Sequence, residues 1–234
     1  MTATTKTIRR LFDRPSDGDW NMAVDEALLA AVHDTTAVPV LRWYQWSAPT
    51  LSLGYFQRWN DVPLELQSLP RVRRSTGGGA ILHAEELTYS LAFPTGTWPT
   101  NSALAIVPEV HAAAAEAIQS FSPQLKIETP SAVEDVRNTS LPFLCFERRA
   151  EHDLVAGADK IMGSAQRRQG GRLLQHGSIP LRGWNAEELA KRITDRLAER
   201  WKVRFEPSQL TEGERGLAEE FAVRHRSLEW RERR

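Results

Sequence analysis

The sequence predicts an α+β fold, a single domain in which a mixed or antiparallel β-sheet is flanked by helices. Helical and strand-like segments come in separate blocks along the chain, which favours this class over alternating βα units. Hydrophobic residues make up 41% and charged residues 26%, a composition that is typical of a soluble globular protein. Because we find neither an internal repeat nor a low-complexity linker, we assign residues 1–234 to one domain, with a core at about 15–205 and a C-terminal helical segment at 211–232.

The first block is a helix followed by strands. Apolar residues at helical spacing predict a helix that Asp19 or Asn21 caps and that runs to about His33. Alternating patterns and runs of β-branched and aromatic residues then predict strands at 38–46, 50–54, 72–76, 80–83 and 87–93.

The second block repeats this order and ends in two helices. An Ala-rich segment predicts a helix from 103 to about 120. Asn185 with Glu188, and Thr211 with Glu214, form capping-box patterns ahead of two further helices. Between these helical segments, strand-like pieces occur at 141–146, 160–166 and 173–176.

Charge balance and cysteine usage restrict the class of function. Thirty Lys and Arg balance thirty Asp and Glu, so no overall field attracts nucleic acid. One cysteine excludes an intramolecular disulfide and a Cys-based zinc cluster. A polar start, no apolar run of ~20 residues and no heptad pattern predict a cytoplasmic monomer without a membrane partner. We interpret the arginines near the end as a solvated helix face rather than a nucleic-acid arm: Arg224, Arg226, Arg231, Arg233 and Arg234.

The segment 73–83 contains three consecutive glycines between two predicted strands. Glycine suits a backbone that approaches a ligand closely or adopts a positive φ, although an ordinary hairpin turn is an alternative. The Gly-Lys-Ser/Thr sequence of a phosphate-binding P-loop is missing here. The hydrophobic residues 80–82 that follow favour an apolar partner instead.

Cys145 and Lys160 are the candidate nucleophile and its activating cation. A lone cysteine beside Phe and Leu is commonly a small buried hydrophobe, and a lone lysine is commonly a surface cation. A free cysteine thiol has a pKa of ~8.5, and a nearby ammonium favours the reactive thiolate. If Lys160 lies beside the sulfur, Cys145 is therefore expected to act as a nucleophile.

Small residues and histidines complete the candidate site. Gly163, Ser164 and Ala165 have minimal side chains, so a substrate chain fits against the backbone there. No G-x-S-x-G pattern makes Ser164 a nucleophile. His83 and His176 each fit either an acid/base group or a local hydrogen bond in a turn. We interpret the other histidines as surface residues and assign no metal: His33, His111, His152 and His225.

Taken in order, six segments resemble the biotin/lipoate protein ligase and transferase superfamily, and within it the cysteine-dependent octanoyltransferases of the LipM type. The match spans about residues 21–181 and includes Arg-Arg-Ser-Thr-Gly-Gly-Gly at 73–79 and Leu-Gln-His-Gly-Ser-Ile at 174–179. Cys145 followed by Phe146, ahead of Lys160, repeats the LipM-type arrangement. ATP-dependent ligases of the superfamily need no such cysteine. The strongly charged segment 147–153 departs from the family pattern.

The resemblance implies a catalytic domain of the biotin/lipoate protein ligase type that needs neither ATP nor a metal as a cofactor. It implies that octanoyl passes from octanoyl-acyl carrier protein, through a thioester on Cys145, to a lysine of a lipoyl domain such as the glycine-cleavage H protein. Lys160 matches the lysine that faces the acyl carbonyl. The acyl-substrate-binding residues are expected to be Arg74, Gly77, Gly78, Gly79, His83, Gly163, Ser164, Ala165, His176 and Gly177.

Three other hypotheses stay open from the sequence. An ATP-dependent lipoate or biotin ligase would consume nucleotide and tolerate the loss of Cys145. An amidotransferase would use the same cysteine chemistry but take its acyl group from another lipoyl domain. A non-catalytic acyl-carrier-binding subunit would bind its partner without a covalent intermediate.

Overall fold

The computed structural model describes residues 6–33, 37–96, 105–130 and 143–233. Ten strands are described: β1 (Lys6–Phe12), β2 (Val40–Tyr44), β3 (Thr50–Leu53), β4 (Arg71–Arg73), β5 (Ile81–His83), β6 (Glu86–Pro94), β7 (Leu154–Ala156), β8 (Asp159–Gln169), β9 (Arg172–Pro180) and β10 (Val203–Pro207). The helices are α1 (Gly18–Ala31), α2 (Ile106–Phe121), α3 (Ala186–Trp201), α4 (Glu212–Arg226) and α5 (Leu228–Arg231).

Seven strands form a mixed sheet in the order β10-β1-β2-β6-β9-β8-β7. The β10-β1 and β1-β2 pairs are parallel, and the remaining pairs are antiparallel. A second sheet of three strands has β3 at its centre, parallel to β4 and antiparallel to β5. The predicted α+β class with a mixed sheet is confirmed.

Helices cover both faces of the seven-stranded sheet. α2 and α3 share one core with the sheet, which includes Trp43, Leu91 and Ile193. α1 and α4 share a second core with the opposite face, and Ala92 and Leu174 belong to it. The adjacent residues Leu91 and Ala92 enter different cores because successive side chains of a strand point to opposite faces. No helix in the described ranges is long and apolar enough to cross a membrane.

Two of the predicted helix starts are confirmed, and one is wrong. Asn185 caps α3 by accepting a hydrogen bond from the Glu188 amide, and Thr211 and Glu214 form a reciprocal capping box at α4. At α1 the cap is Asp17, whose side chain accepts from the Trp20 amide, rather than Asp19 or Asn21. The apolar pattern located this helix correctly. Its N-cap lies two to four residues earlier than we expected, because the cap position depends on backbone geometry as well as on residue type.

The sequence does not predict β1, β7 or β10. β1 and β10 pair with each other in parallel, with Lys6 opposite Val203. The guanidinium of Arg9 on β1 donates to Ser208 Oγ at 3.1 Å and pairs with Glu214 at 2.5 Å. These partners lie 199 and 205 residues further along the chain, so no local sequence pattern predicts that β1 pairs with β10.

The predicted strand at 141–146 is wrong over the part that the structure describes, which begins at residue 143. Leu144 forms a single bridge with Ala80, and Cys145–Glu147 form a 3₁₀ turn. The apolar run packs against the small sheet instead of extending as a strand. Residues 103 and 104, the predicted start of the second helix, lie outside the described residues, and α2 begins at Ile106.

Candidate active site

A cavity with about 480 Å³ of empty space lies between α1, the small sheet and strands β6, β8 and β9. Apolar and aromatic side chains contribute to its wall, among them Met22, Trp46 and Phe146. The predicted site residues that line it are Arg74, Gly77, Gly78, His83, Cys145, Gly163, Ser164, Ala165, His176 and Gly177.

The glycine segment forms one wall of this cavity and is not a hairpin turn. β4 and β5, on either side of it, do not pair with each other; both pair with β3. Gly78 has a φ of 96°, which favours glycine. Gly79 lies behind the wall, where an added Cβ would be 3.2 Å from the Cα of Cys145. The glycines therefore permit one positive φ and one close approach of the chain to the nucleophile segment.

Arg74 holds the glycine segment in shape. Its guanidinium donates to the carbonyl oxygens of Ser52, Gly77 and Gly79, at 2.8, 3.1 and 2.9 Å. Burial lowers the pKa of Arg74 to about 10. Its Nε is buried without a hydrogen-bond partner among the described residues, so one donor of a cavity-lining cation is unused.

His83 belongs to a closed hydrogen-bond network. Its Nδ1 donates to Glu86 at 2.5 Å, and its Nε2 accepts from Ser52 Oγ at 2.6 Å. Burial lowers the pKa of His83 more than the neighbouring Glu86 carboxylate raises it. Burial alone would raise the pKa of Glu86, but its interaction with His83 and the hydrogen bonds from Thr88 and Ser178 hold it below its usual value. The ring of His83 also stacks on Trp46 at a centroid distance of 3.7 Å.

His176 lies on β9 and makes long-range contacts rather than a hydrogen bond within a turn. Its Nδ1 donates to Asp25 on α1 at 3.3 Å, and its Nε2 lies 2.6 Å from Thr76 Oγ1. Asp25 also accepts from Arg42 at 2.9 Å. Burial alone would raise the pKa of Asp25, but the hydrogen bond from His176 and the charge of Arg42 hold it below its usual value. His176 therefore ties the glycine segment to α1.

Cys145 lies in a second wall, which meets the end of the glycine segment, and it is within reach of Lys160. The Lys160 Nζ is 3.8 Å from Cys145 Sγ and 3.4 Å from the Cys145 carbonyl oxygen. The Cys145 amide donates to the carbonyl oxygen of Ala80 at 2.6 Å, which fixes this 3₁₀ turn against the end of the glycine segment. Lys160 is only 5% exposed and lies behind the cavity wall, so it is not a surface cation.

The sequence reasoning missed Asp153, the ion-pair partner of Lys160. Their Nζ–Oδ2 distance is 2.7 Å, and Asp153 is 3% exposed. Gly163 leaves room for this pair, because an added Cβ would lie 2.4 Å from Lys160 Cε. The charged segment 147–153, which departs from the family pattern, thus supplies the carboxylate that pairs with Lys160.

A further chain of hydrogen bonds leads away from the cavity through Ser164, which lines it. Gln175 Nε2 donates to Tyr89 Oη at 2.7 Å, which leaves the Tyr89 hydroxyl to donate to Ser164 Oγ at 2.8 Å. Ser164 in turn donates to His111 Nε2 at 2.7 Å, since His111 Nδ1 donates to the His152 carbonyl oxygen. Burial lowers the pKa of His111 to about 4, which keeps the ring neutral.

The assignment of all four remaining histidines to the surface is wrong for two of them. His111 is 2% exposed, and His225 is fully buried between α1 and α5 residues such as Glu26 and Trp230. Helical spacing could have identified His111, because it shares a face of α2 with Ala114 and Ile118, which are buried. Within the described ranges, no group of three or more His, Cys, Asp or Glu side chains is placed to hold a metal ion.

Comparisons with known proteins show the family and the fold of this chain. Residues 17–211 match the family model of the lipoyl protein ligase A/B catalytic domain. The chain is 39% identical to octanoyltransferase LipM of Oceanobacillus iheyensis over 203 residues, which cover 83% of this chain and 72% of that protein. It is 31% identical to octanoyltransferase LipM of Moorella thermoacetica, over 98% of this chain and 99% of that protein. A bi-partite lipoate protein ligase of Thermoplasma acidophilum, solved in a study that includes its E2 lipoyl domain, has the same fold, with a TM-score of 0.76 at 19% identity over 97% of this chain and 96% of that one.

Fold, cavity and relatives together define an acyltransferase built on a lipoate-ligase-like domain. The chain belongs to the lipoyl protein ligase A/B catalytic domain family. The resemblance to the LipM type, which rested on short segments of the sequence, is confirmed.

Proposed function

We propose that this protein transfers an octanoyl group in lipoate biosynthesis, through a thioester on Cys145. The donor is octanoyl-acyl carrier protein. The acceptor is the lysine of a lipoyl domain, for which the glycine-cleavage H protein is the first candidate. The enzyme acts as a monomer in the cytoplasm and needs no ATP and no metal.

The observation that carries this proposal is the position of the chain's single cysteine. Cys145 lines an apolar cavity, and a buried ammonium lies 3.8 Å from its sulfur. An apolar cavity suits a saturated acyl tail, since each buried CH₂ contributes about 0.8 kcal/mol. A cysteine beside a cation in a partly exposed turn is the environment in which a thiolate forms and reacts.

In the first half-reaction the Cys145 sulfur attacks the carbonyl carbon of the donor thioester. The new S–C bond forms on Cys145, and the bond to the phosphopantetheine sulfur breaks. The proton that leaves Cys145 ends on the departing thiol, so no net acid or base is consumed. Lys160 donates a hydrogen bond to the sulfur that carries negative charge, while Asp153 holds its ammonium in place at 2.7 Å.

In the second half-reaction the acceptor amine attacks the acyl-enzyme. An amide bond forms, the S–C bond to Cys145 breaks, and the proton lost by the amine returns to the sulfur. Each step passes through an oxyanion that needs hydrogen-bond donors. The Lys160 ammonium and the backbone amides of residues 77–79 are the candidates, and the unused Nε of Arg74 adds a third.

A thioester is a more activated acyl donor than an amide, so transfer from carrier to lysine needs no nucleotide. This separates the proposal from the ATP-dependent ligase, which activates a free acid. The amidotransferase hypothesis uses the same cysteine but a different donor. Only a test with defined donors separates these three chemistries.

The test is intact-protein mass spectrometry of the purified chain mixed with octanoyl-acyl carrier protein and no ATP. We expect one added octanoyl mass on the wild type, which apo H protein then discharges. Because the chain has a single cysteine, blocking that thiol with an alkylating reagent must prevent the adduct. Cys145→Ala, which removes the nucleophile, must show no adduct.

Three results would contradict the proposal. An adduct that persists in Cys145→Ala would remove Cys145 from the mechanism. Acceptor modification that appears only with ATP and free octanoate would assign the ligase activity, and an adduct formed only from an octanoylated lipoyl domain would assign the amidotransferase.

A further inference from the structure

A second cleft, which we name the arginine cleft, lies beside the acyl cavity. It has about 550 Å³ of empty space and opens between α1, the β8-β9 hairpin, α4 and the segment that follows α5. Four arginines and one glutamate line it, together with aromatic side chains: Arg167, Arg172, Arg224, Arg233, Glu26, Phe221 and Trp230.

The arginine cleft is positively charged although the protein as a whole carries no net charge. Its one carboxylate, Glu26, forms an ion pair with Arg224. In the part of the chain that the structure describes, no carboxylate pairs with Arg167, Arg172 or Arg233. Partial burial and then the charge of Arg233 lower the pKa of Arg224. Like charges are thus crowded here without the counter-charge that a structural role would supply.

Aromatic rings, backbone carbonyls and the side chain of Gln169 hold these guanidinium groups in place. Arg167 donates through Nε and Nη2 to Gln169 Oε1, at 3.1 and 2.9 Å. Arg224 and Arg233 stack on the ring of Trp230, at 4.6 and 4.8 Å from its centroid. Arg172 donates to the carbonyl oxygen of Ala30 at 3.3 Å, and Arg167 to that of Ser75 at 2.8 Å. Stacked and braced guanidinium groups lose little further conformational entropy when they bind an anion.

The arginine cleft continues the acyl cavity along β8. Ala165 lines the cavity and Arg167 lines the cleft, and residues two apart on a strand share a face about 7 Å apart. The same region is tied to the glycine segment, because Trp230 Nε1 donates to the carbonyl oxygen of Arg73 at 3.2 Å. Arg73 in turn donates to the carbonyl oxygen of Arg231 at 2.9 Å. An anion in the cleft would therefore lie close to the mouth of the acyl site.

We propose that the arginine cleft binds the phosphate of the phosphopantetheine arm that carries the acyl group. The inference rests on the proposed function, since it assigns a binding site to the donor of that reaction. Guanidinium groups form paired hydrogen bonds with phosphate oxygens, and a concave cleft suits a compact anion better than a flat acidic surface does. The phosphate anchors one end of the arm while the thioester reaches Cys145.

The test compares two small donors that differ only in the phosphate: octanoyl-pantetheine and octanoyl-phosphopantetheine. The variant is Arg172→Gln with Arg233→Gln, which removes two charges and leaves the contact of Arg167 with the glycine segment intact. The control is Arg215→Gln, on an exposed position of α4 outside the cleft. The rate of Cys145 acylation gives kcat and KM for each donor.

We expect the variant to raise KM for octanoyl-phosphopantetheine about tenfold or more, with kcat and the KM for octanoyl-pantetheine unchanged. Arg233→Lys should restore part of the affinity, since it keeps the charge but loses the planar fork. Equal losses with both donors would overturn the proposal. A loss seen only with the intact carrier protein would also overturn it and would assign the cleft to an acidic protein surface.

A binding titration keeps this inference separate from the proposed function. Acyl-free phosphopantetheine is titrated into the wild type and the Arg172→Gln/Arg233→Gln variant. Weaker binding by the variant supports the cleft even if no donor acylates Cys145, a result that would count against the proposed function alone. Equal affinities would overturn the cleft assignment whatever the enzyme does.

Discussion

The two walls of the acyl cavity are built on different principles. On the glycine-segment wall, both ring nitrogens of His83 and of His176 are hydrogen-bonded to protein partners. One partner of each ring is a carboxylate, Glu86 for His83 and Asp25 for His176. On the nucleophile wall, Cys145 rests in a short 3₁₀ turn and Lys160 reaches its sulfur only at 3.8 Å. The two histidines of the first wall have all their ring nitrogens hydrogen-bonded, whereas the second wall keeps a reactive group within reach of a donor.

The first wall therefore fixes the shape of the cavity, and the second wall carries the reactive groups. Closing every hydrogen bond around a buried histidine stabilises one arrangement of the wall, because an unpaired buried polar group costs about 1–3 kcal/mol. The long contact between Lys160 and Cys145 contributes little to stability but is available to charge that develops on sulfur. Substitutions on the two walls should therefore affect different measurements.

Lys160→Ala should have the largest effect on chemistry, and because it leaves the buried carboxylate of Asp153 unpaired, the stability of the variant is measured beside its rate. We expect Cys145 acylation to slow by about 10²–10³-fold, because the donor at the sulfur is lost and the carboxylate of Asp153 is left without its cation. The measurement is single-turnover acylation, together with the rate of Cys145 alkylation against pH. Lys191→Ala, at an exposed ion pair on α3, is the control. An alkylation profile identical to wild type would deny Lys160 its role.

Gly177→Ala tests the packing of β9 against β8, where Gly177 lies opposite Ser164; we call this contact the seam between the two walls. A Cβ there would lie 2.4 Å from Ser164 Oγ and 2.6 Å from the carbonyl oxygen of Gly163. We expect a loss of about 2–3 kcal/mol in the free energy of unfolding, measured with urea. Gly216→Ala on α4, where an added Cβ meets nothing within 4 Å, should instead stabilise by about 0.5–1 kcal/mol. Similar values for the two variants would contradict the tight packing of the seam.

Acid should weaken the support of the nucleophile wall through His111. Its pKa is lowered to about 4 by burial, so between that value and about 6.5 the unfolded chain binds more protons than the folded chain. The stabilising contribution is complete above about pH 6.5 and declines as the pH falls toward 4. We expect this histidine to account for a loss of about 2 kcal/mol at pH 5 relative to pH 7.

Urea unfolding at the two pH values measures this loss. His111→Gln, which cannot take up a proton there, should lose less stability between pH 7 and pH 5 than the wild type. His33→Gln, at an exposed position, is the matched control and should keep the wild-type difference. If His111→Gln keeps it as well, the buried neutral state of His111 is refuted.

Thr76→Val should have the smallest effect and should fall on stability. It removes the hydroxyl that lies 2.6 Å from His176 Nε2. We expect a loss of about 1 kcal/mol in the free energy of unfolding, with Cys145 alkylation far less affected than in Lys160→Ala. Thr76→Ser keeps the hydroxyl and should retain most of the stability. A Thr76→Val variant with wild-type stability but a slowed rate of Cys145 alkylation would contradict the division of roles between the two walls.

The sequence predicted the residues that line the cavity better than the buried residues that hold them in place. Gly77, Ser164 and the other predicted lining residues lie in short runs of unusual composition, which local reasoning can find, whereas Met22, Tyr44 and Thr88 line the cavity without such a pattern. Asp153 could not be found this way, because one carboxylate in a strongly charged segment looks like any other until the fold brings Lys160 to it. His111 could have been predicted as buried, because its helical spacing places it on the buried face of α2.

The fold shows the same division. Blocks of helix and strand gave the class, and two of the caps followed from side-chain chemistry alone. The wrong strand at 141–146 came from treating an apolar run as extended, when its described part packs against the small sheet as a bridge and a 3₁₀ turn. Periodicity reports which residues are buried, but an apolar run as short as this one leaves the backbone conformation open.

The pairing of β1 with β10 has a consequence for the folding rate. Arg9 meets Glu214 across 205 residues, so this edge of the sheet closes only after a very long loop has been ordered. Contacts of such sequence separation slow folding, whereas the β8-β9 hairpin forms from neighbouring residues. The strand that carries Lys160 is therefore expected to gain hydrogen-exchange protection early during refolding, and the β1-β10 edge late.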